Sequence, residues 1–182
     1  IKPATLEDTS AKQGILQTVS EDAGAVKANY RLTLMPNNSV ELSYDGRVSG
    51  RTYSAESAET LPVERWSLVV ARLDPEGAVF DISVYVPNET GLSRSTTAAQ
   101  YPFQPVVPVT DDRSELRIGY SSDSVAHFNG YVDSVALWSR ALSIEELDAL
   151  VQTPPDRDEA DLAVFYNFDD GGDTIGDLTE AN

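Results

Sequence analysis

The chain has no cysteine among its 182 residues, which excludes disulfides and thiolate metal sites and leaves the redox compartment unreadable. Its one histidine, His127, has neither a cysteine nor a second histidine to work with, and no nucleophile triad can be assembled around it; a loop edge is its expected place. Cationic residues are scarce, 13 Lys and Arg against 30 Asp and Glu, for a formal charge of -17. Such a surface repels a phosphate backbone and removes nucleic acid from the expected partners. It keeps a protein soluble, or it suits divalent cations or a salty exterior. No apolar run approaches the roughly 20 residues that span a bilayer, so no membrane insertion is expected. The chain opens on Ile1 with neither Met nor a signal-peptide pattern, as a processed product or an excised piece would.

What is present is material for one well-buried core, 41% hydrophobic residues in a chain too short for two complete ones. The dominant period is two, with Gly, Pro, Asn and Asp between the runs, which predicts antiparallel strands and tight turns. Tyr30, Leu32 and Leu34 share one face of a strand that stops at Pro36-Asn37-Asn38, and Val40, Leu42 and Tyr44 share a face of the next. Trp66 to Leu73, WSLVVARL, is apolar on both faces, the pattern of a central strand. Asp74-Pro75-Glu76-Gly77 turns it into Phe80, Ile82, Val84 and Val86.

Pro102, Pro105 and Pro108 make the polar stretch from Pro87 to Arg113 a weak edge strand and a long loop. Leu116, Ile118 and Tyr120 alternate again, as does Tyr131 to Trp138. One short helix follows. Ser143 is its N-cap, Glu146 completes a capping box, Leu142 and Leu147 are placed for a hydrophobic staple, and the end falls near Val151, before Pro154-Pro155. A charged, Pro-rich linker occupies 153–161, and LAVFYNF forms a last strand running into DDGGDTIGDLTEAN.

Three segments, WSLVVARLDPEGAVFDISVYV, LRIGY and FNGYVDSVALWSRALSIEEL, resemble the hairpin and closing section of laminin-G-like domains of the concanavalin A-like lectin and glucanase group. Trp66, Gly130, Asp133, Arg140 and Ser143 carry the structural signature. The resemblance implies an all-β, antiparallel jelly-roll sandwich with one short helix near residues 143–151. It also implies that 1–152 is a jelly roll lacking its opening strands. Residues 162–182 are similar to the opening of a domain of this family, and are either a closing strand or the start of a following module. Asp133, within its strand, is expected to bond neighbouring backbone or to pair with Arg140.

Glycosidases on such folds need two carboxylates flanking the scissile bond, commonly on alternate residues of one strand face. Asp81 and Asp133 stand singly on their strands, while Glu145, Glu146 and Asp148 fall on the helix, so no enzymatic activity is expected. Asp169, Asp170, Asp173 and Asp177 form a glycine-containing acidic turn that could gather oxygen ligands for Ca2+, or could be a solvated turn with aspartates as turn formers. Asn37-Asn38-Ser39 and Asn88-Glu89-Thr90 are N-glycosylation sequons in predicted turns. Tyr53 and Tyr101 could stack on sugar rings or pack in hairpins.

The expected function is therefore a non-catalytic module at the cell surface or outside the cell, serving adhesion or structural assembly within a larger surface protein or filament. Its partners would be protein or glycan, neighbouring modules or copies of itself. The rivals are a lectin-like carbohydrate-binding module, calcium-dependent or not, and a glucanase-like enzyme.

Overall fold

The computed structural model describes residues 1–4, 11–22, 25–46, 51–74, 79–99, 115–119, 125–171 and 175–180. Pro75 to Gly77, Tyr101 to Pro108, Tyr120 and Asp173 lie outside the described residues. In chain order the strands are β1 (Lys2–Pro3), β2 (Gln13–Asp22), β3 (Ala25–Leu34), β4 (Val40–Gly46), β5 (Arg51–Glu56), β6 (Leu68–Asp74) and β7 (Val79–Asn88). They continue as β8 (Gly91–Ala98), β9 (Glu115–Ile118), β10 (Ala126–His127), β11 (Gly130–Tyr131), β12 (Val135–Trp138) and β13 (Leu162–Tyr166), with helix α1 (Ile144–Leu150) between the last two. The chain divides into two compact units, Lys2–Tyr131 and Val132–Asn182 together with Ile1.

In the first unit the larger sheet runs β10-β2-β3-β4-β5, with β9 also paired to β2. Its centre is the hairpin of β3 and β4, where Tyr30 lies opposite Tyr44, Leu32 opposite Leu42 and Leu34 opposite Val40. The turn between them closes because Asn38 accepts a left-handed backbone, φ 66°, a conformation that asparagine tolerates better than most residues. Its amide then donates to the Met35 carbonyl at 2.9 Å. Pairing is antiparallel except where Ala126 and His127 of β10 run parallel to Gln13 and Gly14 of β2. His127 is exposed, at the margin of the sheet.

The second sheet is β6-β7-β8, and β4 and β5 pack across β7 and β8 to make a sandwich. Phe80, Ile82, Val84 and Val86 project to one side of β7, and all are buried, as are Leu34, Val40, Leu42, Tyr44 and Ala55 in the larger sheet. A hydrogen bond from the Ala58 amide to the Thr97 hydroxyl, 3.1 Å, ties the end of β5 to β8. On the other side of β7, Asp81, Ser83 and Tyr85 are also buried. Asp81 takes a bidentate pair from Arg72, its cross-strand neighbour, with Nε at 2.9 Å, and Ser83 shares a hydrogen bond with Thr96 at 2.8 Å. These partners let polar groups occupy a face closed to water.

Two strand readings need correction. Among the described residues the WSLVVARL segment is not a central strand: β7 is central, and β6 has β7 as its one neighbour. Both faces of β6 are only partly covered, and apolar residues on both faces say nothing about which edges are hydrogen-bonded. Trp66 does not open the strand, which begins at Leu68; it lies in the bend before it and is 47% exposed. Likewise Tyr131 to Trp138 is not one strand. Gly130 and Tyr131 pair with β1, Val135 to Trp138 pair with β13, and Val132, Asp133 and Ser134 between them pair with neither. Asp133 is exposed there, as suits a residue depleted in strands.

The second unit is built on the antiparallel pair of β12 and β13. The Leu162 strand thus lies beside the Val135 strand of its own chain, Ala136 opposite Phe165 and Leu137 opposite Val164. Helix α1 has the full capping box: the Glu146 amide donates to Ser143 Oγ at 3.2 Å, and the Ser143 amide donates to Glu146 Oε2 at 2.6 Å. Leu142 and Leu147, flanking the cap as a hydrophobic staple requires, are both buried.

Candidate functional site

Arg140, just after β12, joins that strand to α1 and to the start of β13. Its guanidinium grips both oxygens of Glu146, at 2.9 and 2.6 Å, and Nε donates to Asp161 at 3.1 Å. Of the two places expected for Asp133, a pair with Arg140 is not formed, because Glu146 is already fixed by the cap and Asp161 stands at the start of β13. The hydrogen bonds from Arg140, and after them that from the Ser143 amide, hold the Glu146 carboxyl down at about 2. A depressed carboxyl contributes stability above its unfolded value, near 4.3, and that stability is lost as pH falls toward 2. Urea midpoints at pH 5 and pH 2.5 should therefore converge for an Arg140→Ala variant more closely than for the parent chain.

The acidic turn is occupied by local bonds. Asp169 Oδ2 accepts from the Asn167 amide group at 3.1 Å, and Asp170 Oδ2 accepts from the Gly176 amide at 2.9 Å. Asp177 Oδ1 accepts from the Phe165 amide, the Thr179 amide and the Thr179 hydroxyl, at 3.0, 3.0 and 2.8 Å. The Thr179 hydroxyl also reaches the Ala163 carbonyl at 3.3 Å. Asp177 and Thr179 thus cover the edge of β13 that β12 leaves open, where bare N–H and C=O groups would otherwise invite another strand. Partial burial pushes the Asp177 carboxyl up, but the three hydrogen bonds together outweigh it and hold the pKa below its ordinary value.

No three acidic, histidine or cysteine side chains come together among the described residues, and Asp173, which belongs to the same turn, lies outside them. Asp169, Asp170 and Asp177 each accept from a donor of their own. Asp177→Ala should lower stability by about 1–3 kcal/mol, the cost of unmaking bonds to a part-buried donor. Asp177→Asn, which keeps Oδ1, should lose less. Thermal melts in chelator measure both. A calcium-dependent rise in Tm abolished by Asp169→Ala would instead assign the turn to a metal.

Both sequons sit in asparagine-closed turns. Asn37 is exposed, its Oδ1 accepting from the Ser39 amide at 3.1 Å and hydroxyl at 2.7 Å. Asn88, at the end of β7, is exposed and accepts from the Thr90 amide at 2.9 Å and hydroxyl at 3.1 Å. Tyr53 is half-buried in β5, directly opposite Tyr44. Asp81, one half of any carboxylate pair on β7, has Ser83 and Tyr85 as its next neighbours on that face, and its charge is taken up by Arg72.

The most distinctive surface is one that the spacing of residues did not signal. Gln13, buried on β2, accepts from the Asn129 amide at 2.8 Å. The Asn129 carbonyl accepts from Ala4 at 3.0 Å, and β1 then lies against β11 with Lys2 opposite Tyr131 and Pro3 opposite Gly130. Gly130 permits this approach, since a Cβ there would meet the Lys2 carbonyl oxygen at 2.5 Å and the Phe128 ring at 2.8 Å. The Pro3 carbonyl in turn accepts from the Glu64 amide at 2.7 Å, which docks the loop carrying Val63, Glu64 and Trp66 onto β1. Glu64 adopts a left-handed backbone, φ 57°, which is costly for a residue with a side chain.

Three large apolar side chains end up exposed here: Val63 at 39%, Trp66 at 47% and Tyr131 at 58%. The Lys2 ammonium lies 4.3 Å from the Tyr131 ring centroid, 5.8 Å from that of Trp66 and 3.9 Å from the Glu64 carboxylate. Both ring distances are within reach of a cation–π attraction. The sequence showed Trp66 as part of a structural signature and the start of a strand, and Tyr131 as the start of another strand; it gave no sign of Lys2 or Glu64.

The laminin-G-type family model described as the concanavalin A-like lectin/glucanases superfamily matches residues 1–148. Comparison with curated proteins gives no match. No helix among the described residues is long and apolar enough to cross a membrane.

Proposed function

We propose, from the premise that the chain belongs to the concanavalin A-like lectin/glucanases superfamily, that it is an extracellular, non-catalytic contact module. It works in adhesion or in the architecture of a larger surface protein or filament. Membership supports a lectin-like or adhesion module in general terms. The observation that carries the sharper reading is the exposure of Trp66 and Tyr131 on a loop and ribbon fixed by backbone hydrogen bonds. Large aromatic side chains held rigid at a surface supply contact area at little entropic cost, which is why tryptophan and tyrosine dominate the energetics of interfaces.

The alternative is a lectin-like module in which a sugar ring lies on the same aromatic surface, with Glu64 and Lys2 as polar neighbours. The test is immobilised protein presented to a panel of glycans and extracellular-matrix proteins, alongside Trp66→Ala and Tyr131→Ala. Binding lost in both variants, with melting curves unchanged, is the expected result. Release of sugar from laminarin by the parent chain would replace this reading with an enzymatic one.

A further inference from the structure

The place of Lys2 has the chemistry of a receptor for cations. Two aromatic rings and a carboxylate surround one ammonium group, and ring faces beside a negative charge are how proteins recognise lysine, arginine and quaternary ammonium ligands. Here the cation comes from the chain itself, on a flexible stem whose side chain is 24% exposed. That side chain can swing out without unpairing β1, because the strand is held through the backbone of Pro3 and Ala4. The surrounding molecule carries a formal charge of -17, which draws basic partners and repels acidic ones. Glu64 is held in a left-handed conformation in the same loop, and strain of that kind persists where a side chain has to be placed.

We propose that Trp66, Tyr131 and Glu64 form a docking site for a lysine or arginine side chain on a basic segment of a partner protein, and that Lys2 is its resident competitor. The proposal rests on the reading of the chain as a contact module. It adds the chemistry of the partner and an internal occupant that weakens capture until a better-placed cation displaces it.

The probe is a dye-labelled peptide of alternating Gly and Lys, titrated by anisotropy into the full chain in 0.15 M and 0.5 M NaCl. The higher salt shortens the screening length to a few ångströms and suppresses attraction to the acidic surface at large. Lys2→Ala should bind about two- to fivefold more tightly than the parent, the gain expected when a competitor held by an exposed cation–π contact is removed. Trp66→Ala and Tyr131→Ala should each weaken binding at least about fivefold at both salt concentrations. Glu64→Gln should weaken it with no loss of Tm, which separates the site from folding.

Binding by Lys2→Ala no tighter than by the parent, or binding untouched by Trp66→Ala, overturns the proposal. So does absence of peptide binding in every variant. Should laminarin oligosaccharides bind and be lost in Trp66→Ala while the peptide does not bind, the cation site fails and the contact-module reading survives in its lectin form.

Discussion

Arg72→Met should destabilise the protein by about 3–5 kcal/mol, because it leaves the Asp81 carboxylate buried without its counter-charge. Both side chains are largely buried, at 13% and 9% exposure, and the pair lies across the register of β6 and β7 on the side away from Phe80, Ile82 and Val84. The hydrogen bonds that Arg72 donates to Asp81 are the main reason its guanidinium is held above its ordinary pKa, burial opposing them. The double variant Arg72→Met with Asp81→Leu should recover most of the loss, since replacing a buried ion pair by apolar groups of similar size is often near neutral. Urea denaturation of the parent, both single variants and the double variant gives the coupling directly. Equal destabilisation in single and double variants would show that packing of the Arg72 stem, rather than its charge, holds β6.

Gly130→Ala is expected to lower stability by about 1–3 kcal/mol, the range for forcing a methyl into a filled site. The atom in the way is a backbone carbonyl oxygen of Lys2, so relief requires β1 to move, not a side chain to rotate. The Ala4 amide, bonded to the Asn129 carbonyl at 3.0 Å, should then exchange its hydrogen faster than in the parent, while amides of β3 and β4 keep their protection. Protection at Ala4 unchanged by the substitution would mean that the Phe128 ring gives way instead.

What could be read from the sequence was what is encoded locally. The β3–β4 hairpin is a period-two pattern interrupted by Pro36-Asn37-Asn38, and the cap of α1 is written in residues three apart, Ser143 and Glu146. Both follow from interactions within one turn, so spacing reveals them. The Lys2, Trp66 and Tyr131 surface is instead made by pairing residues 2 and 131, then docking Glu64 on Pro3. No window of a few residues contains that information, and its exposed tryptophan sat in an apolar run that read as a buried strand. The family resemblance singled out Gly130 without its reason, which is the approach of a strand from the far end of the unit. Arg140 was identified, but Asp161 could not be read as its partner, because β13 brings that residue to it from beyond the linker.

The neighbours of β2 also set a schedule for synthesis. β3 follows it at once, but its other edge is covered by β9, with Leu16 opposite Ile118 and Val19 opposite Glu115. On a ribosome adding roughly 5–20 residues per second, that edge stays uncovered for on the order of 5–20 s. During this interval the nascent meander of β2 to β5 presents one unpaired edge of a strand that is buried on both faces in the finished fold, Gln13 to Val19. Truncation just before Glu115 should accordingly yield aggregates, and a chaperone that shields strand edges should raise the yield of the full chain more than one that acts after release.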